Sequence, residues 1–204
     1  MIHNSETRPA TPRLLAFAGS MRTGSFNQRL IALLAEEARK AGAAVTLIQL
    51  RDYPLPFYDA DIEAAGMPEN VRRLQALMAE HHGLLISSPE YNGSVPALIK
   101  NTLDWMSRPL EDGTSGMSLF KDKVVGISAT SPGALGGLRG LIALRDMLAK
   151  FNLWVTPSQV AIGQAQTAFN AEGQLNDPKH QAVVAQLAAE VIAGCRRLDG
   201  SPSA

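Results

Sequence analysis

The sequence predicts an α/β protein: one open, parallel sheet with helices packed on both faces. Three observations lead there. Five short apolar runs alternate with amphipathic helical patterns between residues 13 and 198, the signature of repeated strand–helix units. Loops of unusual composition follow the first, third and fourth runs, at the strand ends where such sheets place their ligands. Finally, 204 residues with a hydrophobic fraction of 46% are enough for one domain with a substantial core.

The first strand is Leu14 to Ala18, closed by Gly19. A helix starts near Ser25, because Phe26, Leu30, Leu33, Leu34 and Ala38 share one face, and Gly42 ends it. Val45 to Leu50 is the second strand. Arg51 to Met67 contains Pro54, Pro56, Asp59 and Asp61 and reads as a long surface loop. Pro68 suits the first turn of the next helix, whose apolar face is Val71, Leu74, Leu77 and Met78. Gly83 to Ser88 is the third strand, followed by a loop to Ser94 and a helix from Pro96 to Ser107. After a second long loop, Val124 to Thr130 is the fourth strand. A glycine-rich turn then enters a helix through Leu141, Leu144, Leu148 and Phe151. The fifth strand covers Leu153 to Val160, with Pro157 as a break point, and the last helix runs from Asp177 to Leu198. Residues 1–12 and 199–204 are expected to be flexible tails around a domain of residues 13–198. With right-handed crossovers, this size and strand count suit the order 2-1-3-4-5 of a flavodoxin-like three-layer sandwich.

Charge narrows the function. Nineteen Lys and Arg balance nineteen Asp and Glu. A nucleic-acid partner normally requires a basic excess to neutralise phosphates, and a carrier that docks by charge normally shows an acidic one. Cys195 is the only cysteine, so no internal disulfide can form and a reducing, cytoplasmic setting is expected. It falls on the apolar face of the last helix, where no activating basic pocket is apparent and a small buried hydrophobe is expected. No run approaches the length of a membrane span, and no His, Cys and carboxylate group has metal-ligand spacing. Asp59 and Asp61 read as a solvated loop.

The first loop is GSMRTGSFN. Gly19 and Gly24 permit a tight backbone path, while Ser20, Arg22, Ser25 and Asn27 put donors at a helix N-terminus. That terminus carries unpaired amides and partial positive charge, a seat for a phosphate dianion. An ordinary N-cap at Ser25 is the competing explanation. Neither a Walker loop nor a G-x-G-x-x-G fingerprint is present, so a terminal phosphate is favoured over a buried diphosphate. The second loop, SPEYNGSVP, combines stiff Pro89, Gly93 and Pro96 with Tyr91, Asn92 and Ser94. It suits either the edge of a planar heterocycle or a plain strand-to-helix connection. In the third, SPGALGGLRG, the glycine density permits close approach by a ligand or by another element.

Together the first two loops resemble the signature segments of the NADPH-dependent FMN reductase family, which includes flavin, quinone, azo-dye and chromate reductases. SPGALGGLR is similar to that family's third flavin loop, and FYDAD to a recurring segment after its second strand. The likeness extends from Arg13 to Leu198. It implies that Ser20, Arg22, Ser25 and Asn27 hold the FMN phosphate, and that Pro89, Glu90, Tyr91, Asn92 and Gly93 line the isoalloxazine mostly through backbone atoms. Ser131 and Gly133 would line the ring's far side. It further implies non-covalent FMN, NADPH or NADH as hydride donor, a small-molecule electron acceptor, ping-pong kinetics and a homodimer or homotetramer. No catalytic side chain is expected, because the flavin carries the chemistry. The rival is a flavodoxin-type electron carrier with no NAD(P)H oxidase activity of its own, which the zero net charge disfavours.

Overall fold

The computed structural model describes residues 11–199. Its strands are β1 (Arg13–Ala18), β2 (Ala44–Leu47), β3 (Gly83–Ser87), β4 (Val124–Thr130), β5 (Trp154–Val155) and β6 (Val160–Ile162). Its helices are α1 (Phe26–Lys40), α2 (Ala60–Ala65), α3 (Glu69–Glu80), α4 (Ala97–Met106), α5 (Leu138–Lys150), α6 (Ala165–Ala168) and α7 (Pro178–Asp199). The sheet is parallel in the order β2-β1-β3-β4-β5, with β6 also paired to β4. This is the flavodoxin-like sandwich expected from the sequence. Of the expected tails, residues 1–10 and 200–204 lie outside the described range. Pro12 accepts a backbone hydrogen bond from the Ala44 amide (2.9 Å).

Alternation along β1 shows how the layers are held. Leu14, Ala16 and Ala18 face a core shared with α1 and α7, whereas Leu15 and Phe17 face a second core with α3, α4 and α5. All five are essentially inaccessible to water. A strand covered on both faces reads as a continuous apolar run, which is why β1, β3 and β4 are legible in the sequence. Gly126 lets α7 settle onto β4, since a Cβ there would stand 2.6 Å from Val191 Cγ2.

One expectation is met and two change. The fifth strand is broken at Pro157 as expected, into two short segments. β5 pairs with Val124 and Val125, and β6 with Ser128 to Thr130. The segment 51–67 is not loop throughout: Asp59 accepts from the Asp61 amide at 2.8 Å and caps α2, so the acidic pair begins a helix. Lastly, α6 is a single turn that the sequence pattern did not reveal. No helix among the described residues is long and apolar enough to cross a membrane.

Candidate functional site

The register places Ala18, Ser87 and Ser128 side by side at the carboxyl ends of β1, β3 and β4. A cleft of about 580 Å³ opens there, lined by Ser20, Arg22, Ser25, Asn27, Pro89, Glu90, Tyr91 and Ser131, among others. Eight of the sequence-predicted site residues therefore meet in one cavity. Asn92, Gly93 and Gly133 do not line it.

On one side of the cleft, α1 begins without a cap. Ser25 makes no side-chain cap bond, and no acidic residue occupies the first turn. Its first amides are left to point outward at the positive end of the helix. Gly24, at a φ of 70°, turns the chain into this position. The Arg22 amide hydrogen-bonds to Ser20 Oγ (3.4 Å), and the Gln28 amide nitrogen donates to the Ser20 carbonyl (2.8 Å). Arg51, arriving from beyond β2, donates to the Met21 carbonyl. Amides at a helix start, hydroxyls and guanidinium groups form the donor set that suits a phosphate monoester.

Asn27 points into the protein. Its Nδ2 donates to the Thr130 carbonyl (2.9 Å), and its Oδ1 accepts from Ser87 Oγ (2.9 Å) and the Thr130 amide (3.1 Å). One buried carboxamide therefore pins the start of α1 to the ends of β3 and β4. The distance in sequence, 103 residues to Thr130, hides this bond from any local pattern.

Across the cleft, the chain after Pro89 makes a two-residue turn. Tyr91 and Ser94 exchange backbone hydrogen bonds of 3.1 and 3.2 Å, while Asn92 and Gly93 adopt φ values of 52° and 76°. This is a type I′ turn, the conformation that an Asn-Gly pair favours. That dipeptide was a readable signal of the turn. The turn is rigid, and it leaves Tyr91 54% exposed at the cleft wall.

Glu90 clasps this loop to the third one. Its carboxylate accepts from the Gly140 amide (3.0 Å) and from Arg139 Nε (3.0 Å), within the first turn of α5. The Gly140 amide first, then the Arg139 guanidinium, hold its carboxyl below the usual glutamate range. Because the folded value is lowered, this contribution is complete at neutral pH. It fades as pH falls from about 4.3, the value of a free glutamate, through the lower folded value. Glu90→Gln should cost about 1 kcal/mol at pH 7, the usual scale of a lost cap. It should also flatten the acid limb, so that urea midpoints of variant and wild type converge as the pH falls through the lowered folded value.

Sequence reasoning missed several cleft residues. Phe26, Thr130, Pro132 and Gln166 also line it. Phe26 stacks on Phe169, with ring centres 6.0 Å apart, and so fixes one wall of the cleft. Its apolar periodicity had marked it as a core residue only.

Comparison with known proteins agrees with this geometry. The model of the NADPH-dependent FMN reductase family matches residues 12–167. An NAD(P)H-dependent FMN reductase of Pseudomonas aeruginosa is 33% identical over 190 residues, covering 92% of this chain and 97% of that protein. A quinone reductase of Pseudomonas putida is 33% identical over 177 residues, 85% of this chain and 91% of its own. Among solved structures, the flavoenzyme NAD(P)H:(acceptor) oxidoreductase FerB of Paracoccus denitrificans superposes with a TM-score of 0.73 at 28% identity, covering 89% of this chain and 97% of its own. The matched span contains all three cleft loops, and the relatives so named are reductases and an oxidoreductase. This chain belongs to the NADPH-dependent FMN reductase family.

Proposed function

We propose that a single reductase domain, residues 13–198, binds FMN non-covalently in the cleft and reduces a small-molecule acceptor at the expense of NADPH or NADH. One observation carries this reading: the uncapped start of α1 shares a cavity with the rigid turn after Pro89. A phosphate and a planar ring fit those two walls respectively. Ser20, Arg22 and Ser25 would hold the phosphate, and the α1 amides would add their dipole. Pro89, Glu90 and Tyr91, stiffened by Asn92 and Gly93, would border the ring on one side, with Ser131 on the other. Asn27 acts on the phosphate by positioning α1. Bound FMN would supply the two-electron relay between the nicotinamide and a quinone, free flavin, azo dye or metal oxyanion, in a ping-pong sequence.

The chain's own task is then to bind and to orient. No side chain in the cleft has to exchange a proton for this, and Glu90 is committed to α5. Assembly as a homodimer or homotetramer in the cytoplasm completes the proposal, the first by kinship and the second from the single buried thiol of Cys195.

Arg22→Ala should weaken FMN binding by about 1.5–3 kcal/mol, the scale of a hydrogen bond to a charged group, as read by fluorescence titration of the apoprotein. Initial-rate kinetics test the activity. Parallel lines in double-reciprocal plots of NADPH against a quinone support ping-pong reduction. Absence of nicotinamide oxidation with every acceptor would reduce the protein to an electron carrier.

A further inference from the structure

The chain beyond β6 adds a wall to the cleft that none of the three loops supplies. Gln164 enters α6 in left-handed backbone, with a φ of 50°, a conformation that few residues other than glycine adopt. Surrounding bonds hold it there. The Gln164 amide donates to the Gly133 carbonyl (3.3 Å) and the Ala165 amide to the Ser131 carbonyl (3.1 Å), so α6 is fastened to the loop after β4. From the other side, Asn176 donates through its side chain to the Thr167 carbonyl (2.8 Å) and through its backbone to the Ala168 carbonyl (2.9 Å). Buried Phe169 stacks on Phe26 at the start of α1. Phe169 and Asn176 both lie past residue 167, where the match to the family model ends. Left-handed residues held in this way by their surroundings cluster at ligand clamps.

The turn presents Gln166. This side chain is exposed and lines the cleft, and its carboxamide has no hydrogen-bond partner among the described residues. Its neighbour Ala165 is fully buried, which fixes the rotation of the turn. Resting on the flavin reading above, we propose that Gln166 is a cofactor-binding residue that holds the ribityl chain of FMN.

Chemistry selects the ribityl hydroxyls. A phosphate dianion only accepts hydrogen bonds, and the Arg22 guanidinium and the α1 amides that face it only donate. A polyol hydroxyl both donates and accepts, and so does a carboxamide. Three other cleft side chains of that dual character are engaged within the protein. Asn27 bonds to Thr130 and Ser87, Thr130 Oγ1 donates to the Ile162 carbonyl (2.8 Å), and Ser131 Oγ donates to the Gly133 carbonyl (3.4 Å). Position agrees with chemistry. The aromatic stack ties α6 to the phosphate end of the cleft, and the bond to Ser131 ties it to the loop assigned to the ring. Gln166 therefore stands between the two.

Fluorescence titration of the apoprotein with FMN, riboflavin and lumiflavin tests this, because riboflavin lacks the phosphate and lumiflavin lacks the ribityl chain as well. Gln166→Ala should weaken FMN and riboflavin by the same factor, about fivefold, the scale of one hydrogen bond between neutral groups. Lumiflavin affinity should not change. Gln166→Met keeps the length of the side chain without its polar atoms and should behave as Gln166→Ala does. Thermal midpoints of both apoproteins should stay at the wild-type value, since the side chain is exposed. A loss confined to FMN would place the contact at the phosphate, and an equal loss for all three flavins would place it at the ring. Either result overturns the proposal, and so does wild-type affinity in Gln166→Met. Failure of the reductase reading looks different: the wild type would bind flavin and oxidise neither nicotinamide. A wild type that takes up no flavin would overturn both.

Discussion

Asn27→Ala is expected to destabilise the protein by about 4 kcal/mol and to abolish FMN retention on a desalting column. The substitution removes three buried hydrogen bonds at once, to the Thr130 carbonyl, the Thr130 amide and Ser87 Oγ. Each orphaned buried group costs about 1–3 kcal/mol, and water entering the small void returns part of it. Against an ordinary stability of about 5–15 kcal/mol, the loss is large. Functional damage comes through position, because Asn27 sets where α1 starts and therefore where its uncapped amides point. Asn27→Asp separates the contributions. A carboxylate keeps both acceptor bonds but sets a buried negative charge against the Thr130 carbonyl oxygen in place of a donor. A loss in urea unfolding at least as large is therefore expected at neutral pH, easing as the carboxyl is protonated. Wild-type stability in Asn27→Ala would show that the carboxamide is not the pin described above.

Gly136→Ala should cost about 3 kcal/mol. The residue has a φ of 63°, and an added Cβ would stand 2.6 Å from the Ile162 backbone nitrogen and carbon. A side chain in left-handed backbone loses about 1 kcal/mol. Overlap with a strand backbone, which has no flexible end to yield, adds about 1–3 kcal/mol more. β6 would be pushed from β4, and Ser131, whose amide bonds to the Ile162 carbonyl at 3.2 Å, would move with it. Thermal unfolding measures the first effect, and loss of flavin affinity the second. Gly133→Ala is the control. Its added Cβ would stand 3.8 Å from Ser131 Oγ, an ordinary contact, so it should fold normally.

Much of this architecture could be read from the chain, for a physical reason. β1, β3 and β4 are covered on both faces and appear as continuous apolar runs, and α1, α3, α5 and α7 carry one-sided apolar faces. The loops between them announce themselves through glycine and proline. Elements that failed to register are short or are stabilised from outside. α2 depends on the cap at Asp59 and on long-range holds such as the Arg108–Glu63 ion pair (2.9 Å), and α6 is one turn. The site divides the same way. Donors at the start of α1 were visible as a local cluster, and the cleft brings them together with Pro89 and Tyr91. The inward aim of Asn27, the clasp of Glu90 on α5 and the return of Arg51 to the phosphate loop all link distant segments. Only the folded chain brings those groups within bonding distance. Glu90 is the instructive case: the family likeness placed it beside the ring through its backbone, while its side chain holds another loop.

The overall neutrality of the chain conceals a local excess of positive charge. Arg22, Arg29 and the α1 terminus converge on one side of the cleft, with Arg51 beside them at the Met21 carbonyl, while Glu90 is already satisfied by α5. A small anionic cofactor, and not a large charged partner, is the complement of such a surface.

The most direct measurement is the visible absorption spectrum of the purified protein, recorded before and after anaerobic addition of NADPH. The account predicts a yellow protein with the oxidised-flavin bands, released as FMN on denaturation and bleached by stoichiometric NADPH. A colourless protein that takes up no FMN from solution, or a yellow one that NADPH leaves unbleached, would contradict it.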